Sequence, residues 1–267
     1  MQIPNAATRH FTVPIVIVAI TLAGLALVLA AATITALGTR TPTRPVPAAA
    51  PVATSPPDRP AAVPAADGPA AATGDPFRVA VVGDSLVEFA EQGSPLQADQ
   101  RATHRFIRAG ARHQWRMAVV GHHGWTTADL LDDIRRQARR ADAVVVVAGS
   151  NDAARIAAGQ ATPAQVQGWI RAAVDALAPA RCAVWATVTT SAPTFYWPTP
   201  AAPESVNELI AAEAAQHPNL HIVDWAATAT QPGMLLADGL HHTPAGTEAM
   251  VTDLTAAAAR CLQGSPV

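Results

Sequence analysis

The chain has 267 residues, 50% of them hydrophobic and 14% charged, with a formal net charge of -2. With 18 basic residues against 20 acidic ones there is no basic surplus for nucleic acid to engage. So apolar a composition also excludes disorder along the whole length.

After a tail of residues 1–10, no residue from Phe11 to Leu37 is charged. At about 1.5 Å per residue this stretch reaches about 40 Å, beyond the roughly 30 Å of a hydrocarbon core. A transmembrane helix acting as a signal anchor is expected over 11–37. The alternative is a secretory signal peptide cleaved near Ala30 to Ala32, but its apolar region usually runs about 7 to 15 residues. Residues 38–75 turn to Ala, Pro and Thr, and nine of the 23 prolines fall between Pro42 and Pro69. That stretch is read as a disordered, semi-rigid spacer.

Residues 76–267 suffice for one domain. Arg78 to Val82 reads as a buried strand, followed by a helical region that includes Ala98 to Ala109. Trp115 to Val120 is a second strand. Thr127 to Arg140 is a helix with Leu130, Leu131 and Ile134 on its apolar side. The uninterrupted run Ala143 to Ala148 predicts a central strand buried on both faces. Thr162-Pro163 opens a helix to about Leu177, with proline at its first position. Cys182 to Val188 is a fourth strand, Glu204 to Gln216 a helix and His221 to Asp224 a short fifth strand. Thr243-Pro244 caps a final helix to Cys261. This alternation predicts an α/β fold with a parallel sheet covered on both faces.

In such a sheet the loops leaving the carboxyl ends of the strands converge on the ligand crevice. Four of them carry reactive groups: Gly83-Asp84-Ser85-Leu86, Gly121 to Thr127 with Gly124 at its centre, Gly149-Ser150-Asn151-Asp152, and Asp238-Gly239-Leu240-His241. Singly, each is an ordinary turn sequence. Together they set a nucleophile, oxyanion donors and an acid–base pair in order along the strand ends.

The domain therefore resembles the SGNH hydrolases, the GDSL family of esterases and lipases. Gly83 to Leu86 is similar to block I of that family, Gly124 to the block II glycine, Gly149 to Asp152 to block III, and Asp238 to His241 to block V. The resemblance implies a three-layer α/β/α sandwich with a flavodoxin-like five-stranded parallel sheet. It also implies a catalytic triad of Ser85, His241 and Asp238, with an oxyanion hole made by the N–H groups of Ser85 and Gly124 and the amide of Asn151. The chemistry agrees with those roles. A serine hydroxyl needs a base, and a histidine oriented by a carboxylate supplies one near neutrality. The Gly-x-Ser-x-Gly elbow of the α/β-hydrolases is absent.

Other residues leave alternatives open. Neither His122-His123 nor His241-His242 readily gives two ligands, since neighbours in extended chain point opposite ways, and no metal or cofactor is expected. Phe195-Tyr196-Trp197 is either a packed loop anchor or a platform for a sugar ring or acyl chain, and Trp125 poses the same choice. His242 either lines the cleft or faces solvent. Cys182 and Cys261 are expected at the end of the sheet away from the active site, as a disulfide or as two buried thiols. Arg9 before the apolar segment and Arg40 and Arg44 after it do not settle orientation. The spacer and the cysteines favour a single-pass cell-membrane protein with an extracytoplasmic domain, secreted if the segment is cleaved. The functional expectation is an esterase for acetyl or short acyl esters on cell-envelope glycan. The alternatives are an O-acyltransferase, since Val223-Asp224-Trp225 with Asp238 to Gly246 resembles envelope acyltransferase domains, and a non-catalytic glycan-binding module.

Overall fold

Five short runs rich in valine and alanine form the sheet: β1 (Arg78–Gly83), β2 (Arg116–Gly121), β3 (Ala143–Val147), β4 (Cys182–Ala186) and β5 (Leu220–Val223). The structure, a computed structural model, describes residues 75–88 and 96–264. The expected tail 1–10, transmembrane helix 11–37 and spacer 38–75, apart from Asp75, lie outside the described residues. Among the described residues, no helix is long and apolar enough to cross a membrane.

All strand pairings are parallel, in the order β2-β1-β3-β4-β5. This flavodoxin-like order changes direction between β1 and β3, which opens a crevice at the carboxyl ends of those strands. Every residue of β3 is buried, as its run of four valines requires. The helices are α1 (Ala102–Arg112), α2 (Leu131–Ala138), α3 (Ser150–Ala157), α4 (Pro163–Leu177), α5 (Ala201–Ala214), α6 (Trp225–Ala229) and α7 (Pro244–Leu262). Helices α1 and α7 pack together on one face, while α4 packs between α2 and α5 on the other. The two Thr-Pro pairs act as helix starts. Thr162 Oγ1 accepts the Gln165 N–H at 3.2 Å, and Thr243 Oγ1 accepts the Gly246 N–H at 3.1 Å.

Several boundaries depart from the sequence reading. The region Ala98 to Ala109 divides into a 3-10 turn (Ala98–Gln100) and α1, separated by Arg101 in an extended conformation. Helix α2 starts at Leu131 rather than Thr127. The Thr126 N–H and hydroxyl both donate to Asp129, at 2.9 and 2.7 Å, and this local bonding holds a turn in place of the first helical turn. Strand β4 stops at Ala186 because the side chain of Asn207 takes both backbone groups of Val188, at 2.7 and 2.8 Å. Helices α3 and α6 were not foreseen.

Cys182 at the start of β4 and Cys261 near the end of α7 form a disulfide, with their Cα atoms 6.0 Å apart. The strands enter the sheet at this end and leave it at the other.

Candidate active site

The first loop is shaped by the residue before the serine. After β1 the Asp84 N–H donates to the Val147 carbonyl, which carries the parallel ladder one residue further. Asp84 Oδ1 then accepts the Leu86 N–H at 2.9 Å, and its carbonyl accepts from Val87 and Glu88. This Asx-type turn presents Ser85 at the head of the sheet. In the last loop Asp238 Oδ1 accepts the N–H groups of Leu240 and His241, both at 3.0 Å, so the carboxylate organises the turn as well as the imidazole.

These two loops meet. Ser85 Oγ lies 3.1 Å from His241 Nε2, and His241 Nδ1 lies 2.6 Å from Asp238 Oδ2. Ser85 is 6% exposed and His241 4%, which keeps the chain of hydrogen bonds largely out of bulk water. Burial alone would raise the Asp238 pKa, but the N–H of Leu240, the ring of His241 and the N–H of His241 outweigh it and hold the carboxyl below its ordinary value. Asp238 is thus an anion wherever a neutral histidine could act as base.

Besides Ser85, the residues expected to supply oxyanion donors follow β2 and β3. Gly124 takes φ +78°, and no atom lies close to where its Cβ would be. Gly149 caps α3 at φ +122°, and a Cβ there would come within 2.8 Å of Val188. That conformation starts α3 abruptly after β3, with Asn151 in its first turn. Asn151 Nδ2 donates to the Trp125 carbonyl at 2.9 Å and to Asp84 Oδ2 at 3.3 Å. Among the described residues the N–H groups of Ser85 and Gly124 donate to no other protein group.

Two further acids, neither assigned a role from sequence, hold the block II loop. Asp152 Oδ2 accepts the Thr127 N–H at 2.9 Å and its hydroxyl at 3.1 Å, tying that loop to α3. Asp133 bonds His122 Nε2 at 2.9 Å and also pairs with Arg136, while the His122 ring stacks on Trp125 at 3.7 Å. The sequence signals for Asp84 and Asp152 are their places in the Gly-Asp-Ser-Leu and Gly-x-Asn-Asp motifs that follow β1 and β3. Burial pushes the Asp84 pKa up to about 7 and that of Asp152 up to about 6.

Asp152 accordingly imposes a pH dependence on stability. Between about pH 4 and 6 the unfolded chain has released this proton and the folded protein keeps it, so stability falls as pH rises, by roughly 3 kcal/mol in all. Asp152→Asn mimics the protonated acid, since Oδ1 is buried without a partner and Oδ2 is the atom that accepts from Thr127. We expect the variant to match the wild type near pH 4 and to exceed it above pH 6 in urea unfolding. Parallel pH profiles for the two proteins would show that Asp152 ionises normally.

The aromatic residues divide by exposure. Phe195 is 91% exposed and Trp125 37%. Tyr196 is half-buried and packs edge-on between Phe195 at 5.4 Å and His241 at 6.0 Å. Of the two readings left open for this cluster, Trp197 takes the loop anchor, against its place among the expected substrate contacts. It is 1% exposed and its indole N–H donates to the Ser191 carbonyl at 2.7 Å, so it anchors the loop and offers no ring face to a ligand. His242 is buried, lines a narrow pocket with Ser85 and His241, and meets the Trp225 ring edge-on at 4.7 Å.

Known proteins share this architecture. A TesA crystal structure covers 69% of this chain and 99% of its own at 24% identity and a TM-score of 0.54. The lipase/acylhydrolase from Enterococcus faecalis covers 70% and 96% at 20% identity and 0.55, and the Clostridium thermocellum family 3 carbohydrate esterase covers 71% and 98% at 15% identity and 0.53. At these identities the likeness is one of fold. No curated protein sequence matches the chain. The profile of the GDSL-like lipase/acylhydrolase family matches residues 81–249, which takes in all four loops described above. The chain therefore belongs to the GDSL-like lipase/acylhydrolase family and is an ester-cleaving hydrolase.

Proposed function

We propose that the protein is a serine esterase that removes acetyl or other short acyl groups from cell-envelope carbohydrate. The observation that carries this reading is the continuous hydrogen-bond chain Ser85–His241–Asp238, with the serine and histidine buried. Ser85 Oγ attacks the ester carbonyl carbon while its proton passes to His241 Nε2. The carbonyl oxygen takes up negative charge opposite the N–H groups of Ser85 and Gly124 and the Asn151 amide. When the C–O bond breaks, His241 returns the proton to the leaving alcohol and the acyl group stays on Ser85. His241 then takes a proton from water, whose oxygen attacks the acyl-enzyme and releases the acid.

Trp125, Phe195 and Tyr196 are the proposed substrate contacts, since Tyr196 packs against His241 and the exposed rings of Trp125 and Phe195 suit a sugar ring. A carbohydrate esterase among the proteins of this fold is consistent with a sugar ester. We also propose that the domain is extracytoplasmic and anchored by residues 11–37. The disulfide supports that placement, because such bonds persist in oxidising compartments.

The test is acetate release from an O-acetylated glycan by the full chain and by Ser85→Ala. Release by the wild type alone is expected. Equal release would overturn the reading, and acetyl transfer to an added sugar in preference to water would make the protein an acyltransferase through the same serine. Phe195→Ala is expected to raise KM for the glycan several-fold and leave kcat nearly unchanged, as for uniform binding. An unchanged KM would remove Phe195 from the substrate contacts.

A further inference from the structure

The loop after β2 holds its backbone and its tryptophan by separate means. The His122 N–H donates to the Gly83 carbonyl at 3.0 Å, and the Trp125 carbonyl accepts from Asn151 at 2.9 Å. The N–H groups of Thr126 and Thr127 donate to Asp129 and Asp152. None of these backbone ties uses the imidazole of His122. That ring instead lies flat against the Trp125 indole, with centroids 3.7 Å apart and planes inclined by 13°. A stack this close covers one face of the indole, and the part of Trp125 that stays exposed is left for a ligand.

The imidazole is fixed in turn from α2. Its Nε2 lies 2.9 Å from Asp133 Oδ2, and Asp133 Oδ1 accepts from Arg136 one turn further along the same helix. Asp133 is buried, and a buried carboxylate is tolerated only where its oxygens have partners. Here each oxygen has one, so the acid is held as firmly as the histidine that meets it. A histidine in solvent turns freely about its side-chain torsions. This one is pinned at a ring nitrogen and again on a ring face.

We propose that His122 is a positioning residue for substrate selectivity: locked by Asp133, it presets Trp125 as a one-sided wall against which the sugar ring of the substrate stacks. This inference rests on the esterase reading and on Trp125 as a substrate contact, and adds how that contact is ordered before the substrate arrives. An indole free to change rotamer would have to be ordered on binding, which weakens affinity. His122 acts through Trp125 alone and takes no part in the proton transfers.

The test compares 6-O-acetylglucose, which has a sugar ring, with ethyl acetate, which has none, as substrates of the full chain. His122→Ala is expected to raise KM for 6-O-acetylglucose by about 3- to 10-fold, the range for ordering one large side chain on binding, with a smaller change in kcat. Added to Trp125→Ala, it should raise KM no further, because without the indole the imidazole has nothing to position. His122→Phe keeps a flat ring for the stack and should restore part of the affinity. His122→Gln keeps a donor for Asp133 but no ring, and should not. An equal rise in KM for both esters, or an effect of His122→Ala that persists in Trp125→Ala, would overturn the proposal. So would a fall in kcat on ethyl acetate as large as the rise in KM, since His122 would then support the whole loop.

Calorimetric titration with cellobiose reads the wall without ester chemistry. Binding weakened by His122→Ala, but not when Trp125 is already alanine, in a protein that cleaves neither ester would uphold the positioning role and overturn the esterase. Cleavage of 6-O-acetylglucose with a KM indifferent to His122→Ala would do the reverse.

Discussion

Ser85→Ala is expected to lower kcat on an activated acetyl ester by about 10⁴- to 10⁶-fold, and His241→Ala by a similar factor. The double variant should be no slower than either single one. Nucleophile and base act as one unit across their 3.1 Å contact, so removing the second after the first costs little more. Asp238→Asn should fall less far, by about 10⁴-fold, because it disturbs the tautomer and orientation of His241 and leaves the imidazole present. Its Oδ1 still accepts the Leu240 and His241 N–H groups in the amide, which keeps the turn folded. Steady-state rates with matched thermal midpoints for all variants check this. A Ser85→Ala protein retaining more than about a tenth of the wild-type rate would remove that serine from the chemistry.

Replacing both Cys182 and Cys261 by alanine is expected to cost about 4.5 kcal/mol of stability, from the chain-entropy value for a loop closed across 79 positions. For a domain of this size that lowers the thermal midpoint by roughly 9 to 18 °C. The esterase activity of the folded variant at 25 °C should be unchanged, since the bond sits where the strands enter the sheet and Ser85 where they leave. Thermal unfolding with and without a reductant gives an independent measure. A midpoint shift under about 2 °C would mean that the covalent link adds nothing to the packing already present around Cys182, which is wholly buried.

The sheet was legible because its strands are short runs of small and β-branched residues that cannot serve as amphipathic helices. Of the three residues that the structure brings together, Ser85 stands just past such a run, whereas Asp238 and His241 come after β5 and α6 and were picked out by their Asp-x-x-His spacing and the family resemblance. The same rule misread Gly149 to Asp152 as a loop, although Ser150 begins α3. Ser, Asn and Asp favour turns and helix first turns for one reason, local bonding to backbone N–H groups, so residue type alone does not separate the two. Thr127 was misread in the opposite direction, because the acids that hold this turn, Asp129 on Thr126 and Asp152 on Thr127, lie three and 25 positions from the residues they bond. Trp197 and Phe195 are two positions apart with similar chemistry, and only the fold decides which is core and which is surface. Arg101 gave no sequence signal, and for His242 the sequence left open whether it lines the cleft or faces solvent. Among the described residues both bury a side-chain nitrogen without a hydrogen-bond partner, which only a three-dimensional arrangement reveals.

The Asn151 amide has one more consequence. In the free protein its N–H groups are already engaged by the Trp125 carbonyl and Asp84. An ester carbonyl is no better an acceptor than a peptide carbonyl, so exchanging one for the other gains nothing when the substrate first binds. The gain comes only when the oxygen becomes an anion. In the proposed reaction the Trp125 carbonyl thus acts as a competitor that withholds this donor from the resting ester and yields it to the tetrahedral intermediate. Binding strength is thereby turned into rate.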